Sequence, residues 1–191
     1  MRSAVGFLCL LSALVSTGYS LSCIECSAYD ATSCSGPSVP CASGVCASSF
    51  IQEASPGGSI MQIKRSCAAK TQCGETGSAT YGFVRRHMIN SCCDSDDCSP
   101  EVPKFVRDYK PNGFRCTSCF PPTSEECDPA HQVPCSGGED KCFIHFFKHY
   151  GTVNDFEFRI GGCATDSMCQ PDKFSEYSYE EVSTTCTQAA Q

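Results

Sequence analysis

Two Cys-x-x-Cys pairs, Cys23/Cys26 and Cys116/Cys119, carry the spacing of zinc half-sites or redox dithiols. Zinc needs free thiolates, and two pairs separated by more than a domain's length do not converge on one tetrahedral ion. Asp94, Asp96 and Asp97 crowd a short loop and suggest calcium. A calcium shell needs six to eight oxygens in a fixed array, which this loop does not supply. His145 and His149 fall at an even spacing, which places two imidazoles on one face of a strand. Two half-exposed strand residues are the better reading. The chain has no Gly-x-Ser-x-Gly motif and no cysteine left over for a Cys-His nucleophile. Neither catalysis nor a cofactor is expected.

The cysteines make better sense as staples. There are 19 in 191 residues, there is no Trp, and the aliphatic runs are short. That composition fits a disulfide scaffold rather than a domain driven by a large apolar core. Arg2, the apolar run Val5–Val15 and the small residues Gly18 and Ser20 read as a secretory signal peptide over residues 1–20. Cleavage there discards Cys9 and leaves an even 18 in an oxidising compartment. It also leaves 13 basic against 21 acidic residues, a net charge of −8. Nucleic acid and anionic membranes are therefore poor partners. The terminal stretch Thr185–Gln191 has no apolar tail, so no lipid anchor is expected and the product should be secreted and extracellular.

The 18 cysteines fall into two spacing sets, Cys23 to Cys98 and Cys116 to Cys186, each opening on Cys-x-x-Cys. This is a repeat carried by spacing. Residues 21–98 form one expected domain, 99–115 a Pro- and charge-rich linker, and 116–191 a second domain. Within each, the long gaps alternate as strands do. Val45–Glu53 and Ser59–Arg65 flank Pro56-Gly57-Gly58. Tyr81–Ile89 reads as a further strand. Lys141–Tyr150 and Phe156–Ile160 flank a tip at 151–155. The architecture is all-β and disulfide-rich.

Leu21-Ser22-Cys23-Ile24-Glu25-Cys26 and Cys92-Cys93-Asp94-Ser95-Asp96-Asp97-Cys98 resemble the opening and closing signatures of the LU (lymphocyte-antigen and urokinase-receptor) three-finger family. The resemblance implies two tandem three-finger, snake-toxin-like domains. It also implies the pairing Cys23–Cys46, Cys26–Cys34, Cys41–Cys67, Cys73–Cys92 and Cys93–Cys98. In the second domain it implies Cys116–Cys142, Cys119–Cys127, Cys135–Cys163 and Cys169–Cys186. Ser99 stands where the family usually has Asn, and the second domain is shortened, without a counterpart of Cys93–Cys98. The two-domain layout is similar to the gamma-type phospholipase A2 inhibitors and also to the sodefrin-precursor-like pheromones. The first resemblance implies a secreted, non-enzymatic inhibitor that binds a secreted phospholipase A2. The second implies a signalling ligand for a receptor.

Outside the cysteines, the densest cluster is aromatic: Phe143, Phe146, Phe147, Tyr150, Phe156 and Phe158. A strand alternates its faces, so both faces of this hairpin carry rings. Exposed rings of this kind mark a protein-binding surface. Packing against the first domain or within a homo-oligomer is the competing expectation. Lys64, Arg65, Arg85 and Arg86 are read as solvated strand faces, with the acidic segment Asp172–Glu181 as a possible counterpart.

Overall fold

A computed structural model describes residues 20–106, 108–120, 126–149, 156–170 and 179–190. The expected signal peptide, apart from Ser20, lies outside these residues. So do Tyr150, the finger tip 151–155 and the first part of the acidic segment, 172–178.

Seven strands belong to the first cysteine set: β1 (Leu21–Ile24), β2 (Cys26–Tyr29), β3 (Ser38–Cys41), β4 (Val45–Ser55), β5 (Gly58–Ala68), β6 (Thr76–Tyr81) and β7 (Val84–Cys93). Five belong to the second: β8 (Pro111–Thr117), β9 (Gln132–Ser136), β10 (Lys141–His149), β11 (Phe156–Ala164) and β12 (Tyr179–Gln188). Two short 3-10 turns, Lys70–Gln72 and Asp166–Cys169, complete the described elements, and no α-helix occurs among them. β4 and β5 meet across Pro56-Gly57, with Ser55 opposite Gly58. The stretch Tyr81–Ile89, read from its residues as one strand, is broken. The chain reverses at Gly82-Phe83, where Gly82 takes a φ of +53° that a glycine adopts freely. β8 starts at Pro111, inside the stretch read as linker, because Asn112 donates from Nδ2 to the carbonyls of Gly137 and Glu139 (3.1 and 2.8 Å).

The nine disulfides join Cys23–Cys46, Cys26–Cys34, Cys41–Cys67, Cys73–Cys92, Cys93–Cys98, Cys116–Cys142, Cys119–Cys127, Cys135–Cys163 and Cys169–Cys186. Each bridge stays within its own set. The two units are therefore held together by the chain and by noncovalent contacts alone.

Those contacts make one sheet. Eight strands run in the order β12-β10-β11-β6-β7-β4-β5-β2, with β1-β3 and β8-β9 as separate two-stranded ladders. β11 of the second unit pairs with β6 of the first through Gly162↔Tyr81, Cys163↔Thr80 and Ala164↔Ala79. A Cβ on Gly162 would stand 2.1 to 3.0 Å from first-unit backbone, with Thr80 O the nearest atom at 2.1 Å, so only glycine permits this approach. Beyond the ladder, Thr165 N donates to Ser78 O (2.9 Å), Ser167 Oγ to Thr76 O (2.8 Å), and Gly82 N to Ser118 Oγ (2.7 Å). The edge of β6 is thus used from end to end. An unpaired edge costs unsatisfied backbone groups and invites aggregation, and the second unit removes both.

Candidate functional site

Register decides which rings of β10 are available. On a pleated strand alternate residues share a face. Phe143, His145 and Phe147 lie on one face of β10, opposite Gly162, Ile160 and Phe158 of β11. Following the ladder across Gly162 leads to Tyr81, then to Val84 and Met88 of β7 and Ile51 of β4. These residues, with Ala79, Ala164 and Met168, form one buried cluster that spans both units.

Gly162 shapes this cluster a second time. It offers no side chain between β10 and β6, so the Phe143 and Tyr81 rings meet edge to face at 6.1 Å. From there the ring contacts continue in both directions. Tyr81 stacks on Phe120 (5.9 Å), and Phe120 touches Phe83 (5.0 Å). On the other side Phe143 touches His145 (5.1 Å), His145 touches Phe147 (6.0 Å), Phe147 stacks on Phe158 (5.0 Å), and Phe158 on Phe156 (6.0 Å). The row is buried in its middle and open at its ends. Phe83 is 59 % exposed at the β6–β7 turn, and Phe156 is 46 % exposed on the second-domain finger.

This divides the six rings expected to bind a partner. Phe143 and Phe147 are 0 % and 1 % exposed, so they are core residues and the expectation that they contact a partner is corrected. Each would lose on the order of 2–3 kcal/mol of burial energy on leaving the core. Phe158 packs against the same cluster, partly buried. Phe156 stands at the open end. Phe146 lies on the opposite face, half-buried, with the Arg159 guanidinium 4.4 Å from its ring centre and the Lys148 ammonium 5.7 Å from it. Lys148 Nζ in turn pairs with Glu157 at 2.7 Å. Tyr150 lies outside the described residues.

The structure uses other candidate groups for architecture. His145 is fully buried with Nδ1 2.7 Å from Thr184 Oγ1, so it faces the core rather than a solvent-side metal site. The side chain of His149 lies outside the description. Three buried sulfurs, those of Cys116, Cys135 and Cys163, sit within 4.8 Å of one another. All three are disulfide sulfurs, which offer no thiolate to a metal. In the acidic loop, Asp96 Oδ1 accepts from Ser22 N (2.8 Å) and Asp97 Oδ1 from Ser38 Oγ (2.7 Å). These carboxylates tie the loop to β1 and β3.

The basic residues read as solvated differ too. Lys64 is exposed, but Arg65 and Arg86 are buried. Arg65 Nη1 donates to Cys34 O (2.9 Å). Arg86 Nη1 pairs with Glu53 Oε1 at 2.7 Å, and the Tyr81 hydroxyl donates to the same oxygen at 2.8 Å. That trio ties the floor of the aromatic row to β4. Alternation alone does not reveal it, because both faces of β4 are covered along most of its length.

The u-PAR/Ly-6 domain model matches residues 19–101 and again 112–190. The chain belongs to the u-PAR/Ly-6 domain family. Its fold is therefore two three-finger domains in tandem, all-β and disulfide-rich. Among curated proteins, the phospholipase A2 inhibitor NAI of Notechis ater is 27 % identical over 198 residues, covering 96 % of this chain and 94 % of its own length. The urokinase plasminogen activator surface receptors of Mus musculus and Aotus trivirgatus are 25 % and 26 % identical, each over 56 % of this chain. The chain spans only about a third of those receptors' length, 32 % and 30 %.

Proposed function

We propose that this chain is an extracellular, non-enzymatic binding protein that engages and inhibits a secreted phospholipase A2. The observation that carries the reading is the similarity to the phospholipase A2 inhibitor of Notechis ater, which runs through both domains and the segment between them. Nine disulfides favour an oxidising, extracellular setting. Among the described residues no helix is long and apolar enough to cross a membrane.

Inhibition in this reading is steric. Disulfides and the shared sheet hold the contact residues in place before binding, so little ordering is left to oppose association. The contact surface is the outer side of the second-domain finger. Phe146 with Arg159 lies on one face, and Phe156 lies toward the tip. Phe143 and Phe147 support that surface from behind. No bond is made or broken.

Titration of the purified chain against a panel of secreted phospholipases A2, read by calorimetry and by lipid hydrolysis, tests the reading. Saturable binding with parallel loss of hydrolysis supports it. No binding and full hydrolysis at micromolar chain would sink it.

A further inference from the structure

Glu139 is a carboxylate that the binding reading does not use, and it is 2 % exposed. It lies in the short connection between β9 and β10, in the second domain, yet its side chain points at the first. Oε1 accepts from Thr80 Oγ1 of β6 at 3.0 Å. Oε2 accepts from Ser136 N at 3.1 Å and from Ser136 Oγ at 3.4 Å. Ser78, also on β6, adds a side-chain hydrogen bond.

The surrounding elements carry few charges. β6 offers only the hydroxyls of Ser78 and Thr80. β11, opposite Thr80, offers Cys163, which is disulfide-bonded and does not titrate. β7 contributes Arg85, whose Nη1 donates to Ser136 Oγ at 3.0 Å and whose guanidinium lies 5.0 Å over the Tyr109 ring. His87, on the same face of β7, packs on Tyr109 at 5.8 Å. From the interdomain segment come Asp108, against Gly137, and Lys110, whose carbonyl accepts from Gly137 N. On Glu139's own connection, Asp140 and Lys141 turn away toward Gln188 and each other.

We propose that the seam between the two domains is proton-linked through Glu139: the domains dock most tightly when this carboxyl is neutral and loosen as it ionises. Neutral or ionised, the group finds partners here, because the Thr80 and Ser136 hydroxyls rotate to donate or accept. Desolvation separates the two forms. Burial disfavours the charged carboxylate and outweighs its hydrogen bonds and the attraction of Arg85, so the pKa of Glu139 is raised above the ordinary glutamate value. Released from β6, the same carboxyl returns to water and to that ordinary value. The docked state therefore binds the proton more tightly. This contribution to docking is complete below the ordinary glutamate value and is lost as pH rises through the raised value of the docked state.

The test is amide hydrogen exchange of the seam residues Thr80, Cys163 and Thr165, whose N–H groups point across the β6–β11 junction, between pH 4 and 8, corrected for intrinsic exchange, in the whole chain and in Glu139→Gln. Glutamine keeps the shape of the neutral acid and cannot ionise. Wild-type protection should fall with rising pH, at most about tenfold per unit for one proton. That of Glu139→Gln should stay high and flat. Wild-type protection that does not change with pH, or that the variant reproduces, overturns the proposal. Should the variant fail to fold, carbon NMR titration of the wild-type Glu139 carboxyl decides. A midpoint above those of the exposed glutamates supports the latch, and one that coincides with them removes it.

Discussion

In the first domain the chain leaves the fold through the Cys93–Cys98 loop, and Asp96 and Asp97 fasten that loop to Ser22 and Ser38. In the second domain the described residues up to 190 are held by hydrogen bonds. Ala189 N donates to Asp140 O (2.8 Å), Arg115 N to Ala190 O (3.2 Å), and Gln188 Nε2 to Asp140 O (2.9 Å). The Gln188 side chain also holds the exposed Asp140 carboxyl below its ordinary range, with Lys141 adding to the effect. The first loop is held by a covalent bond and two carboxylates, and the described residues 188–190 by backbone hydrogen bonds and one amide. Beyond their own bridges the two domains share the β6–β11 ladder and the aromatic row, to which both contribute residues. The stability of each is therefore coupled to its neighbour.

The sharpest way to break this comparison is at the shared row. Phe147→Ala should cost about 3–5 kcal/mol, as for other fully buried rings. Phe146→Ala, on the opposite face of β10, should leave thermal unfolding within ~1 kcal/mol of the parent. Equal losses for the two would refute the division of faces. Gly162→Ala comes next. Its methyl meets first-domain backbone at Thr80 and Tyr81, so a penalty of about 1–3 kcal/mol or more is expected. The radius of gyration in solution scattering should rise as the domains part. An unchanged radius and melting point would mean that the seam is not held by this approach.

Paired replacement of Cys93 and Cys98 by Ser opens a short loop and should remove about 2 kcal/mol, felt in the first domain. Amide exchange should then quicken in β1 and β3 and stay unchanged in β12. Asp97→Ala, which removes one exposed hydrogen bond to Ser38, should shift the same strands in the same direction by less. Quickening in β12 from either variant would show the two closures to be coupled.

Much of the scaffold is legible in the residues. Cysteine spacing marks the two repeats, and Pro56-Gly57-Gly58 marks the longest hairpin. Other features depend on register. Gly161-Gly162 lies just past Ile160, where the returning strand is expected to end, and only the ladder sets Gly162 against Tyr81. The meeting of β11 with β6 involves three residue pairs, too few to leave a pattern in sequence. The faces of β10 are ambiguous for a related reason. Rings occupy both, so alternation does not say which is inside, and the answer comes from the neighbours Gly162 and Tyr81. Arg86 reads as solvated because its partner Glu53 is more than thirty positions away. Glu139 gives no signal at all, since the acidic pair Glu139-Asp140 after Gly137-Gly138 looks like an ordinary exposed turn.

Hydroxyl-radical footprinting of the whole chain, resolved to single residues, tests most directly that the aromatic row is a buried joint with open ends. Phe143, Phe147 and Tyr81 should be protected, while Phe83 and Phe156 are oxidised readily and Phe146 to an intermediate extent. A phospholipase A2 that binds should then protect Phe156 and Phe146 and leave the buried rings unchanged. Ready oxidation of Phe143 and Phe147 in the free chain would contradict the account.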